Sequence, residues 1–196
     1  MILDLLLNNI DEILRRITVS HLRRYDTLQR SLCATDVAAD QEYQRMFNGY
    51  YKMQRRRQEW YGYFFSLLER EKKNTNITFR HVLEETYSTQ HRIEPSFSSK
   101  LVATIRPEMP VYDKHVRENV SLTVPGQHKA AEVRVREFIT VYSSLESKVA
   151  TLIQNPVFTT KLRPAFDKKF RSYAHFTDVK KLDLLLWQHR QTKKKA

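Results

Sequence analysis

Three arginines in succession, Arg55-Arg56-Arg57, stand between Met53 and Trp60. Cations interleaved with aromatics can grip a nucleic-acid strand by phosphate contact and base stacking. The neighbouring aromatics follow helical spacing, which assigns most of them to a core instead. Arg57 stands apart, four residues after Met53 and three before Trp60, on the apolar face. A charge there must be paired, stack on Trp60, or face a pocket. Other chemistries find less material. None of the seven histidines has another at i+3 to i+5, and there is no His-Glu-x-x-His motif. Cys33 is the one cysteine, so no disulfide, cysteine-rich zinc site or iron–sulfur cluster is expected. Neither a metal nor a cofactor is expected. No Gly-x-Ser-x-Gly elbow occurs, and Glu84-Glu85 reads as a solvated helix face.

Two further stretches are the sharpest. Pro95-Ser96-Phe97-Ser98-Ser99-Lys100-Leu101-Val102-Ala103 is followed by Pro110-Val111-Tyr112-Asp113-Lys114-His115-Val116-Arg117. One reading is purely structural. Ser96 or Ser98 caps a helix, Lys100 is a surface lysine, and Asp113 caps the next helix. The other reading is a resemblance. Pro95, Phe97 and Lys100 match a Pro-Gly-φ-Gly-x-Lys turn, and Asp113, His115 and Val116 match a Val-Asp-x-His-Val-x-Arg element. Over residues 95–117 the chain resembles the helix-hairpin-helix DNA glycosylases. It departs from their pattern in carrying Ser96 and Ser98 where that family has glycines.

The resemblance implies a nucleic-acid-binding helical protein, with DNA favoured over RNA, and a candidate DNA glycosylase or abasic-site lyase. Asp113 would stabilise positive charge on the sugar or deprotonate a nucleophile. Lys100 would attack the sugar carbon and form a Schiff base. The backbone around Ser96, Ser98 and Ser99 would hold a phosphate. Lys114, His115, Arg117 and Arg57 would contact or support the DNA. The alternative is a non-enzymatic module that binds DNA, RNA or an acidic protein, or a defence-type protein on the same fold.

Composition narrows the partners. The formal net charge is +12, which describes partners and not fold. Nucleic acid is the commonest polyanion such a chain meets. The basic residues are spread along the chain, with pairs or runs at Arg15-Arg16, Arg23-Arg24, Lys168-Lys169 and Lys193-Lys194-Lys195. Asp4 interrupts the apolar residues at the N-terminus, which reads neither as a signal core nor as a membrane span. One unpaired thiol fits a reducing compartment. A cytoplasmic protein, nucleoid-associated in one version, is therefore expected, and no membrane partner. The oligomeric state is left open.

These residues need helices to position them. Only three glycines occur, at Gly49, Gly62 and Gly126, which disfavours hairpin-rich β folds and phosphate-cradling loops. The expected fold is all-α, one helical domain of about eight to ten helices over 1–190, with a helix-hairpin-helix glycosylase-like core as a candidate. Within it, 1–74 is a candidate N-terminal lobe and 75–190 the core. A helix is expected from near Leu3 to Ile17, and a long one from Thr35 or Asp36 to beyond Leu67, bent or split at Asn48-Gly49. Thr78, Asp113 and Thr177 are expected caps. Ala131, Val135, Phe138, Tyr142, Leu145, Val149 and Leu152 form an unbroken apolar stripe that Asn155-Pro156 stops. Residues 191–196 read as a basic tail.

Overall fold

A computed structural model describes residues 2–53 and 56–189. Arg55 and the basic tail at 191–196 lie outside the described residues. Among those described the protein is all-α, with eleven α-helices, one π-helix and one 3-10 turn, and no strand. None of these helices is long and apolar enough to cross a membrane. The chain divides into two compact units, one formed from both ends (up to Thr18 and from Pro107) and one from Val19–Arg106.

The inserted unit holds α3 (Val19–Ser31), α4 (Gln41–Tyr51), α5 (Gln58–Glu71), α6 (Phe79–Gln90) and α7 (Pro95–Ile105). Its core is aromatic. The Phe47 ring lies 4.7 Å from Tyr51 and 5.5 Å from Phe64, and Trp60 lies 4.5 Å from Phe97. Such pairs add about 0.5–1.5 kcal/mol each beyond the area they bury. The expected break at Asn48-Gly49 is not where the chain turns, because both residues are helical. α4 ends instead at Lys52, in the left-handed region at φ 53, and helix resumes after Arg57. Asp40 starts α4 by accepting the N–H groups of Glu42 and Tyr43 at 2.8 and 3.0 Å. Those hydrogen bonds hold its carboxyl below the usual carboxylate range. Thr78 caps α6 as expected, taking the His81 N–H at 3.2 Å. α7 is buried from Phe97 to Thr104, the signature of a helix surrounded by others.

The other unit holds α1 (Ile2–Asn8), α2 (Ile10–Arg16), α8 (Lys114–Asn119), α9 (Ala131–Gln154), a π-helix (Phe158–Leu162), α10 (Arg163–Lys169), a 3-10 turn (Arg171–Tyr173) and α11 (Asp178–Gln188). The helix expected from Leu3 to Ile17 is divided at Asn9, whose amide donates to the Leu5 carbonyl at 2.7 Å. This split and the one at Lys52 carry the count past the expected eight to ten. α9 buries the expected stripe at Val135, Phe138, Tyr142, Leu145 and Val149. The Tyr142 hydroxyl donates to the Pro110 carbonyl at 2.8 Å and so pins the extended segment before α8. Asn155 ends α9.

The π-helix has a local cause. Pro164 has no N–H to give the Thr160 carbonyl four residues back. The bonding slips by one residue just before it, and the Arg163 N–H donates to the Phe158 carbonyl. Phe158, Leu162, Phe166 and Phe170 stay buried through the change. Each fully buried side chain of this kind contributes about 1.5–3 kcal/mol. The side of the segment away from that stripe is left to water.

Candidate nucleic-acid interface

Away from the buried stripe, the π-helix, α10 and the 3-10 turn carry four exposed cations, Lys161, Lys168, Lys169 and Arg171. Among the described residues none of the four has a carboxylate within 4.0 Å. Lys161 and Lys168 are two turns apart, so their Cα atoms are separated by about 10 Å along the axis. The Lys169 ammonium lies 5.7 Å from the Phe170 ring centroid, within the range of a cation–π contact. The acids of this stretch are already engaged. Asp167 pairs at 2.8 Å with the buried Lys181, and Asp178 pairs at 3.1 Å with Arg163. The buried Lys181 also donates to the Ala174 carbonyl at 2.7 Å, which ties α11 to the end of the 3-10 turn. The segment therefore presents positive charge from a rigid, apolar-anchored backbone.

The residues of the resemblance fall in both units. Asp113 is the N-cap of α8, and its carboxylate accepts the His115 N–H at 2.9 Å. Lys114 is exposed and reaches Glu118 at 4.0 Å. The His115 ring meets Trp187 edge-on at 6.1 Å. Arg117 is half-buried, and its charge acts on Tyr112, whose hydroxyl burial nevertheless pushes above the ordinary tyrosine range. These four residues share one short helix and its N-cap. A cavity of about 430 Å³ lies in the same unit, lined among others by Asn119, Val120, Ser147 and Lys148. Asp113 is not among its lining residues.

Ser96, Ser98, Ser99 and Lys100 share α7 in the inserted unit. The stretch from Pro95 to Ser99 is the first turn of that helix and not a hairpin, with Pro95 at its start. Ser98 donates its hydroxyl to the Glu94 carbonyl and Ser99 to the Ser96 carbonyl, both at 3.0 Å. Glu94 stands at the helix N-terminus, where a phosphate would be expected. Its carboxylate is held at 3.0 Å by both Arg56 and Arg92. Lys100 is 6% exposed, with its ammonium 5.4 Å from the Phe97 ring centroid.

Arg57 caps α5 in solvent. Its neighbour Arg56 takes the place against the aromatics, 5.9 Å from Trp60 and 4.9 Å from Phe97. Helical spacing carried across the non-helical segment before Gln58 had pointed one residue too far.

No family model, no curated protein and no solved structure matches this chain. The reading of its sites rests on its own residues.

Two features were hidden from the sequence. The first is the set of four cations on the π-helix, α10 and the 3-10 turn, which includes one visible run, Lys168-Lys169, but nothing in the sequence showed that they would lack carboxylate partners among the described residues. The second is a cluster of Glu71, His81 and Glu85, whose ligand atoms lie within 4.8 Å of one another. Its only sequence signal is the His81/Glu85 spacing on one face of α6, since Glu71 comes from α5. Burial opposes the charge on Glu71, but hydrogen bonds from Asn74 and Arg70 outweigh it and hold the carboxyl below its usual range.

Proposed function

We propose that the chain binds nucleic acid, with Lys161, Lys168, Lys169 and Arg171 as its phosphate-contacting surface. The observation that carries this reading is uncompensated charge on a rigid segment. Cations without carboxylate partners hold only small counterions in the free protein. Replacing those ions with phosphates releases them, which drives association and makes it salt-dependent. The overall charge of +12 supports the same reading by favouring encounter with a polyanion. The contacts are to phosphate, so they carry no base sequence.

The test is fluorescence anisotropy with labelled single- and double-stranded DNA and RNA over a range of salt. Four phosphate contacts give duplex DNA a slope of log affinity against log salt of about −3 to −4. Absent binding, or binding indifferent to salt, overturns the reading.

A second reading, a DNA glycosylase or abasic-site lyase, is favoured by the position of Asp113 at the start of α8, where the resemblance implies an acid. Lys100 would be its nucleophile. Borohydride trapping on duplex DNA with an abasic site is the direct assay. An adduct that disappears in Lys100→Ala supports the lyase. No adduct with the unsubstituted protein removes it and leaves the binding reading intact.

A further inference from the structure

We propose that Glu71, His81 and Glu85 form a binding site for a divalent cation of the zinc type. This goes beyond the nucleic-acid reading and does not depend on it. The argument begins with the helices. His81 and Glu85 are four residues apart on α6 and so project from the same face. Glu71 closes the group from the last position of α5. The His81 Nε2 lies 3.4 Å from Glu85 Oε2 and 3.8 Å from Glu71 Oε1. A zinc ion with bonds of about 2.0–2.2 Å holds tetrahedral ligands roughly 3.4 Å apart. Of the three separations, one already meets that requirement, the second needs a shift of a few tenths of an ångström, and the third, between the two carboxylates, lies within 4.8 Å and closes as the side chains turn towards the ion.

The donor set suits the ion. One imidazole nitrogen and two carboxylate oxygens make a three-ligand set of the open type, with the fourth position left for water. His81 is half exposed, so water can reach the site. Glu71 is oriented from behind, because Asn74 donates to its other oxygen at 2.8 Å. Such outer partners fix which oxygen a metal meets.

The Arg70 guanidinium bridges the two carboxylates. Its Nε lies 2.9 Å from Glu71 Oε1, and its Nη2 lies 2.6 Å from Glu85 Oε2. These are the same two oxygens the ion would take. Arg70 thus occupies the cation position with one positive charge against two carboxylates. More than half of its side chain is exposed, at 55%, so it can swing into water when an ion of double charge arrives. The arginine is a competitor, and removing it strengthens the site.

The experiment is titration of the chelator-treated full chain with zinc by calorimetry, and with cobalt by visible absorption. The expected result is one ion per chain with a tetrahedral cobalt spectrum. His81→Ala weakens binding on the order of 10-fold or more, comparable to the loss on removing a metal's supporting partners. Arg70→Ala tightens it, and Arg70→Gln serves the same purpose if the alanine variant melts early. The proposal is overturned if neither the unsubstituted protein nor the Arg70 variants bind zinc. It is equally overturned if His81→Ala binds as well as the unsubstituted protein.

Discussion

The stretch from Glu69 to Glu94 and the stretch from Phe158 to Tyr173 are both rich in cations and, apart from Lys73 in the first and Arg163 in the second, use them in opposite ways. In the first, Arg70, Lys72, Arg80 and Arg92 each reach a carboxylate between 2.6 and 3.2 Å away. In the second, Lys161, Lys168, Lys169 and Arg171 reach none among the described residues. A net charge of +12 does not distinguish them. Pairing does. Paired cations organise the surface that carries them, and unpaired ones remain available to a polyanion.

The largest test of this contrast is charge reversal. Replacing Lys161, Lys168, Lys169 and Arg171 together by Glu is expected to weaken nucleic-acid binding on the order of 100-fold at low salt. The salt slope should also fall by about 3 to 4. Reversing Arg80 and Arg92 should change binding far less. Anisotropy on both variants decides it, and equal losses would erase the distinction between the two regions.

A smaller effect separates stability from binding within one unit. Lys181 is buried and paired, so Lys181→Ala should cost about 2–3 kcal/mol in chemical denaturation, discounted because Asp167 keeps part of its solvent contact. Nucleic-acid affinity should hold. Lys168→Ala should do the reverse, changing stability by less than about 0.5 kcal/mol while weakening binding. A drop in stability for Lys168→Ala would mean that this exposed lysine has a structural role.

The smallest effect is in pH. The folded protein holds the Glu71 carboxyl below its ordinary value of 4.5. A depressed carboxyl adds stability above its unfolded value, and that stability is lost as pH falls through the folded one. Melting temperature should therefore drop below about pH 4.5 partly through Glu71, and Glu71→Gln should flatten that limb. An unchanged limb would show that the Arg70–Glu71–Asn74 contacts do not stabilise the fold.

Much of the fold was legible in the sequence because its signals are local. Thr78, Asp113 and Thr177 cap the helices they precede, and the α9 stripe is buried where its spacing placed it. The breaks were less legible. Asn48-Gly49 has the composition of a turn, yet the chain leaves the helix at Lys52, a residue that carries no turn signal. The apolar spacing continued through that gap, which put Arg57 where Arg56 lies. The resemblance placed a hairpin turn at Pro95–Ser99, whereas the capping reading of Ser96 pointed to a helix start, and the stretch is the first turn of α7. The candidate interface was the least legible part, since pairing is set between elements. Glu85 and Glu71 lie on different helices and meet at Arg70, and no linear pattern encodes that meeting.

Among the described residues, left-handed backbone falls on Lys52, His91 and Ser121 instead of on any glycine. Each such residue keeps a Cβ in a region where it crowds the following carbonyl, at roughly 1–2 kcal/mol apiece. Lys52 and His91 each hold the C-terminal cap of a helix, where glycine would sit without that strain. The molecule thus stands below the stability its own backbone permits. Two positions at helix ends, both outside the basic segment and the Glu71–His81–Glu85 cluster, hold a reserve that evolution or a designer can recover without altering either surface.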